Sequence, residues 1–357
     1  MTLYALIIAG GTGSRLWPRS RAGMPKQFLP LLSEHTMLQE TANRIAPLVD
    51  PGAILVATGR EYVELARAQL PDVPPQNIIG EPSGRGTAPC IGLGAIEIRR
   101  RDPEATIAVL SADHMIRKAD LFREALVAAA EVARQGYLVT LGITPDRPHT
   151  GYGYIRRGAS LGRYNGFEAF DVARFVEKPD RATAEAYLAE GGYSWNAGIF
   201  VWRVDAIMGA LRTCLPELSA RLDAIAAAGG PGLPQAFEGV WEGIESVTID
   251  YGVLERAGRV AVIPVDIGWS DVGDWNTVAE LAGSNGGGNV VQAEHIGLDT
   301  HGTLVYSDSQ RLIVTLGLEN FVVVDTGDAL MIAPRDRAQD VKKIVEELRS
   351  RDRTDLL

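Results

Sequence analysis

Apolar residues in the first half of the chain alternate between two patterns. Short runs at Leu3–Ala9, Ala53–Ala57, Ile78–Ile79, Thr106–Leu110 and Tyr137–Leu141 predict strands. Between them, Met37–Ile45, Glu61–Gln69, Ala88–Arg100 and Asp120–Arg134 place apolar residues at helical spacing. Strands alternating with helices predict a parallel sheet covered on both faces. Ligands of such sheets bind outside the carboxyl ends of the strands. Gly10, Glu81, Ser111 and Gly142 each follow a strand candidate, so they are expected to ring one crevice.

The middle of the chain, about 151–283, is mixed. Phe167–Val176, Ile199–Val204 and Val260–Ile267 are expected strands, Arg181–Leu188 and Ser219–Ala228 expected helices. Gly229-Gly230-Pro231 stops the second helix, and the Gly-rich run from Gly283 to Gly288 is the clearest linker. Beyond it the period changes. Asn289–Gln292, Thr303–Tyr306, Leu312–Leu316, Phe321–Asp325 and Leu330–Ile332 are short β runs broken by Gly- and Asp-containing turns. With no long helix between them, they predict a short β-solenoid, closed by a charged helix over Arg337–Arg349. The expected domains are 1–283 and 284–357.

Composition narrows the function. The chain has 357 residues, 46% apolar and 22% charged, with a net charge of −10. That balance argues against a nucleic-acid or membrane surface. No apolar stretch reaches the ~18 residues of a membrane span. Cys90 and Cys214 are far apart and in apolar context, which fits reduced thiols and a cytoplasmic location. The chain opens directly on a strand-like run, so no secretory leader is expected.

Against this acidic background, residues 10–28 stand out. Gly10, Gly11, Gly13, Ser14 and Arg15 follow the first strand, and Lys26 comes soon after. Glycines let backbone N–H groups approach phosphate oxygens with no Cβ in the way. Arg15 can fork onto two oxygens. Arg15, Arg19, Arg21 and Lys26 crowd one loop, a crowding that calls for an anion. The segment is therefore read as a triphosphate cradle. A dinucleotide fingerprint is excluded because Leu16 stands where the third glycine belongs, and a Walker loop because no Gly-Lys-Ser/Thr closes it.

Other constellations follow strand ends. Asp113, in Ser111-Ala112-Asp113-His114, is placed either to hold Mg²⁺ or to cap the next helix. Asp271, in Gly268-Trp269-Ser270-Asp271-Val272-Gly273, either completes that metal site or serves a turn. In the loop Gly80–Pro89, Glu81 or the loop carbonyls can accept the paired N1–H and N2–H₂ donors of guanine; the bland alternative for Glu81 is an exposed loop acid. Thr87 is a cap candidate for the helix that follows, and Pro89 suits its first turn. Glu177 can accept sugar hydroxyls and Lys178 reach a phosphate, unless the pair is surface charge. Asn196 both donates and accepts, which suits a hexose. Trp195 beside it reads equally as core or as ligand platform. Gly151, in a Gly-punctuated turn, lets backbone approach a ligand. The five histidines show no metal-ligand spacing, and no Gly-x-Ser-x-Gly elbow is present.

These motifs together resemble the sugar-1-phosphate nucleotidyltransferases, and most closely the bacterial mannose-1-phosphate guanylyltransferases. The resemblance rests on Gly10–Leu16 with Pro25–Phe28, Leu38–Thr41, Glu81–Pro89, Ser111–His114, Phe175–Pro179, Trp195–Phe200, Ile249–Tyr251, Trp269–Trp275 and Leu316–Ala329. It implies an α/β Rossmann-like nucleotidyltransferase domain with a mixed, mainly parallel sheet, followed by a short left-handed β-helix. It implies in-line attack of mannose 1-phosphate on the α-phosphorus of GTP, giving GDP-mannose and pyrophosphate. Arg15 and Lys26 would neutralise phosphate charge. Asp113 and Asp271 would hold Mg²⁺, Gly10, Gly11, Gly13, Ser14, Glu81, Thr87 and Ala88 the nucleotide, and Gly151, Glu177, Lys178 and Asn196 the sugar phosphate. Many relatives carry a further cupin-like isomerase domain; this chain stops before one, so a single activity is expected. The rival expectations are another sugar 1-phosphate, such as a heptose, or a nucleotide-sugar sensor without turnover. Arg15, Lys26, Asp113 and Asp271 standing together argue against the sensor. A homodimer is expected, because the small β unit after Gly283 buries little apolar surface alone and a short solenoid has open ends.

Overall fold

The computed structural model describes residues 2–230, 234–284 and 286–357. Pro231 of the expected helix stop and Asn285 of the expected linker lie outside the described residues. By contacts the chain forms two compact units. One comprises residues 1–10, 41–112 and 116–269, the other 11–40, 113–115 and 270–357.

The first unit is built on a nine-stranded sheet. Its strands, from one edge to the other, are Ile78–Glu81, Ile54–Gly59, Leu3–Ala9, Thr106–Ser111, Tyr193–Arg203, Leu138–Ile143, Val260–Val265, Phe167–Val176 and Tyr154–Tyr164. The first four pair in parallel, as the strand–helix alternation requires. Tyr193–Arg203 then inserts antiparallel between Thr106–Ser111 and Leu138–Ile143, which makes the sheet mixed. Leu6, Leu55, Ile107 and Val109 are fully or almost fully buried, so these strands read as continuous apolar runs. The register sets Ala9 beside Thr58, Gly59 beside Glu81, and Ile8 beside Ser111. The carboxyl ends of the parallel strands are thus level.

Several elements differ from the pattern reading, two of them in the sheet and beside it. Tyr154–Tyr164 is an eleven-residue strand, where only a turn at 150–154 was expected. It forms a hairpin with Phe167–Val176 through Asn165 (φ 42°) and Gly166 (φ 86°). Asn-Gly between two runs is the strongest short hairpin signal, and it was legible here. Val204–Cys214 is a helix, and the preceding strand ends at Arg203.

The second unit contains the short β-helix. Val290–Gln292, Leu304–Ser307 and Phe321–Asp325 stack in parallel, so that Val290, Leu304 and Val322 lie one above another. A second face stacks His295–Leu298 on Ile313–Leu316. Leu304, Val322 and Val324 are fully buried, in one cluster with Leu16, Trp17, Leu29, Leu31, Val272 and Trp275. Burying an aromatic or aliphatic side chain contributes roughly 1.5–3 kcal/mol. This cluster is what draws the segment after the first strand to the tail of the chain.

Candidate active site

The glycine loop begins where the first strand ends. Gly11 (φ 85°) and Gly13 (φ 67°) take left-handed backbone. A Cβ at Gly13 would lie 2.5 Å from the Cβ of Lys26, so only glycine lets the loop close on that residue. Beside Gly11 a Cβ would meet nothing within 4 Å, so this part of the loop faces open space. Gln27, 1% exposed, donates from Nε2 to the Gly11 carbonyl at 3.1 Å, and Ser20 Oγ donates to the Thr12 carbonyl. The loop's carbonyls are thereby held by the protein. None of the N–H groups of residues 11–15 donates to another described residue. Successive unpaired N–H groups on a glycine turn form an anion cradle. Gln27 and Ser20 were not among the expected site residues, although Gln27 lies in the quoted motif.

The cations of this loop separate into two kinds. Arg19 Nη1 pairs with Asp308 Oδ2 at 3.2 Å, and Arg21 Nη2 with Asp328 Oδ1 at 3.0 Å. The crowding of positive charge is therefore answered in part by acids of the tail. Arg15 is exposed and makes no ion pair with any described residue.

Lys26 is buried, and its ammonium spends all three donors inside the protein. Nζ lies 2.8 Å from Asp113 Oδ2, 3.0 Å from the Asp271 carbonyl and 3.2 Å from the Val272 carbonyl. One ammonium thus ties together the two segments that carry the expected metal ligands. Val272 is a fully buried β-branched residue at φ 45°, a conformation that costs about 1–3 kcal/mol and persists only when its surroundings hold it. Its burial and the Lys26 bonds provide that hold. Among the described residues no group of three or more His, Cys, Asp or Glu forms a metal cage. Magnesium does not need one: one or two carboxylates suffice, with phosphate and water completing the shell. Asp113 and Asp271, linked through Lys26, fit that requirement.

Glu81 is not the exposed loop acid of the bland reading; it is 7% exposed, at the end of its strand. Burial pushes its carboxyl up to about 7, against a hydrogen bond with Cys90 that pulls it down. Its Oε1 is buried without a partner. Thr87 does not cap the helix Thr87–Arg101, which has Gly86 at its N-cap and no side-chain cap. Instead Thr87 Oγ1 accepts from the Ile249 N–H at 2.8 Å, and the Ala88 N–H donates to the Val247 carbonyl at 3.1 Å. Both residues serve to clasp the loop on residues 247–249.

The sugar candidates Glu177, Lys178 and Asn196 do come together, around Gly153. A Cβ on Gly153 would lie 2.3 Å from Glu177 Oε2 and 3.3 Å from Asn196 Cβ, whereas the Gly151 N–H is spent on His149 Nδ1 at 3.1 Å. Gly153, two residues on, is the glycine packed against Glu177. Lys178 Nζ pairs with Glu177 Oε1 at 2.7 Å, and Glu177 Oε2 is buried without a partner. Asn196 Nδ2 donates to Asp250 Oδ1 at 2.7 Å. Asp250 is pushed up to about 6, first by burial and then by Glu177. Its place in the quoted Ile249-Asp250-Tyr251 motif was the available signal. Trp195 is 4% exposed, among Tyr154, Tyr187 and Tyr193, and so belongs to the core.

Comparison with known proteins identifies the family. Residues 4–284 match a nucleotidyl transferase family model, and residues 293–348 a mannose-phosphate isomerase/GMP-like β-helix domain. The chain is 40% identical over 353 residues to the mannose-1-phosphate guanylyltransferase of Escherichia coli K12, covering 98% of this chain and 74% of the relative. It is 42% identical over 357 residues to the xanthan biosynthesis protein XanB of Xanthomonas campestris pv. campestris strain B100, covering 98% of this chain and 74% of the relative. A crystal structure described as a mannose-1-phosphate geranyltransferase, from Thermus thermophilus, superposes with a TM-score of 0.88 at 38% identity, covering 98% of this chain and 100% of that one. The chain therefore belongs to the nucleotidyl transferase family, in its mannose-1-phosphate guanylyltransferase branch.

Proposed function

We propose that this chain transfers GMP from GTP to mannose 1-phosphate, giving GDP-mannose and pyrophosphate. The observation that carries the reading is the anion cradle: N–H groups over residues 11–15 that donate to no other described residue, with Arg15 exposed beside them. The sugar-phosphate oxygen attacks the α-phosphorus and pyrophosphate leaves in line. Such transfers need positioning and charge neutralisation more than a general base.

Gly10, Gly11, Gly13 and Ser14 take the triphosphate through backbone N–H groups, and Arg15 neutralises its charge. Lys26 adds positive charge from its place between Asp113 and the Asp271 carbonyl. Asp113 and Asp271 would hold Mg²⁺, which when bound neutralises charge at the phosphate under attack. Glu81, when ionised, offers acceptors to the paired donors of guanine, and its orphaned Oε1 supports that role. Glu177 and Asn196 take mannose hydroxyls, and Lys178 the sugar phosphate.

The chain works as a homodimer joined through its β-helix. Val314, Leu316 and Leu298 are 61%, 73% and 59% exposed on the sheet of His295–Leu298 and Ile313–Leu316, and Leu330 and Ile332 are also exposed. A contiguous apolar face on a two-stranded sheet with open edges calls for a partner. The two free thiols and the need for GTP favour a cytoplasmic location.

Pyrophosphate release tests the reading. Purified chain with GTP and Mg²⁺ is expected to act on mannose 1-phosphate in preference to glucose 1-phosphate and a heptose 1-phosphate. Activity is also expected to stop when the metal is chelated. Binding of GDP-mannose with no turnover of any sugar phosphate would replace the reading with a sensor.

A further inference from the structure

The Asn196 amide is held from both ends, and one of its partners is Asp250. Asn196 Oδ1 accepts from the Gly198 N–H at 3.2 Å and from Thr140 Oγ1 at 3.2 Å. Both donors thus face the amide oxygen. The Gly198 N–H is an obligate donor, so this end of the amide is the oxygen. Nδ2 therefore faces Asp250 Oδ1, at 2.7 Å. That is the shortest of the three side-chain bonds and the one assisted by charge. The Thr140 hydroxyl has other acceptors at 3.4 Å in the Leu141 and Ile199 carbonyls, so it does not hold the amide alone. One N–H of Nδ2 is left over.

Across Gly153 from the Asn196 side chain stands one unspent carboxylate oxygen, Glu177 Oε2. Gly153 touches both side chains: its missing Cβ would meet Glu177 Oε2 and Asn196 Cβ. A donor on one side chain and an acceptor on the other suit the hydroxyls of a sugar, each of which can give and take a hydrogen bond.

We propose that Asp250 is a positioning residue of the sugar site, holding the Asn196 amide in the orientation that leaves one N–H for a hydroxyl of the sugar 1-phosphate. The inference rests on the reading of Glu177 and Asn196 as sugar ligands. The charged groups around Asp250 are Glu177 and Lys178, with Tyr251 next in the chain and Glu255 beyond Glu177. Burial and Glu177 hold the Asp250 carboxyl up, near 6, while the Asn196 bond and Lys178 pull it down. Below that pH Asp250 is protonated, and the bond to Asn196 loses its charge.

The test measures KM for mannose 1-phosphate and KM for GTP separately, from pH 5.5 to 8, in Asp250→Ala, Asp250→Asn and Asn196→Ala. Asp250→Ala is expected to raise the sugar KM about tenfold with GTP KM little changed, the loss of one charge-assisted bond. Asp250→Asn, whose amide oxygen still accepts, should recover most of it. Wild-type sugar KM should worsen below pH 6 relative to Asp250→Asn measured at the same pH, a comparison that cancels the titration of the substrate phosphate. An unchanged sugar KM in Asp250→Ala, or Asp250→Asn as damaged as Asp250→Ala, overturns the inference. Should Asp250→Ala not fold, parallel pH profiles for wild type and Asp250→Asn overturn it. Asn196→Ala keeps the two readings apart. An unchanged sugar KM there removes the sugar-site assignment itself, whereas a raised one beside an unaffected Asp250→Ala removes only the positioning role.

Discussion

Arg19 pairs with Asp308 at 3.2 Å, across 289 positions of sequence, and its Nε also donates to Tyr306 Oη at 2.9 Å. Trp17 makes a similar reach, donating from Nε1 to the Leu356 carbonyl at 2.8 Å. The phosphate loop and the tail of the chain are one packed body. The tail is therefore part of what holds the loop in shape.

Packing, more than the ion pair, should supply that hold. Partly exposed pairs contribute about 0–1 kcal/mol, while truncating a buried Trp costs about 3–5 kcal/mol. Asp308→Asn is expected to destabilise by under about 1 kcal/mol, and Trp17→Ala by roughly 3–5 kcal/mol with loss of activity. Urea unfolding of the two variants checks this; equal losses would make the ion pair the principal tie.

Arg15 and Lys26 should behave differently although both are cations of the phosphate loop. Arg15 is exposed and makes no ion pair with a described residue, so Arg15→Ala is expected to lower activity by a factor of ten or more and leave stability within about 0.5 kcal/mol. Lys26 is bonded to Asp113 and to two carbonyls. Lys26→Ala leaves these acceptors unpaired and is expected to cost roughly 1–3 kcal/mol of stability as well as activity. Lys26→Arg should not rescue it, since a planar guanidinium does not fit three acceptors converging on one nitrogen. Thermal unfolding and turnover, measured side by side, separate the two roles.

Glu81 predicts an opposite trade between stability and function. Its carboxyl sits near 7 when folded, above the ordinary 4.5. Between those values the folded chain binds more protons than the unfolded one, so stability falls as pH rises from 4.5 to 7. Glu81→Gln should stabilise the protein by up to roughly 3 kcal/mol at pH 8 and by nothing near pH 4.5. The same variant should lose preference for GTP over ATP, and its GTP KM should no longer improve between pH 6 and 8. Unaltered discrimination would leave the reading of guanine to the loop carbonyls.

The apolar face of the β-helix gives a direct test of the dimer. Val314→Asp with Leu316→Asp is expected to convert a dimer into a folded monomer, read by light scattering and circular dichroism. A wild-type monomer at micromolar concentration, or a variant that stays dimeric, would sink the idea. Truncation near Gly283 is the wrong tool, because it strips Leu304, Tyr306, Val322 and Val324 from the cluster that buries Leu16 and Trp17.

Local chemistry made much of this protein legible in one dimension. The apolar runs at Leu3–Ala9, Phe167–Val176 and Phe321–Asp325 coincide with strands. Glycines at 11 and 13 announce a turn that other residues resist, because positive φ is a property of the residue itself. The strand–helix alternation set out the parallel edge of the sheet. Tertiary structure alone decided what depends on partners distant in sequence. It assigned Arg19 and Arg21 to tail acids while giving Arg15 no ion pair with a described residue, turned Thr87 from a cap into a clasp on Ile249, and packed Gly153 against Glu177. It buried Glu81 and set Asp250 against Asn196. A side chain's charge and donors are written in its letter, but whether they are already spent depends on which neighbours folding brings within about 3 Å.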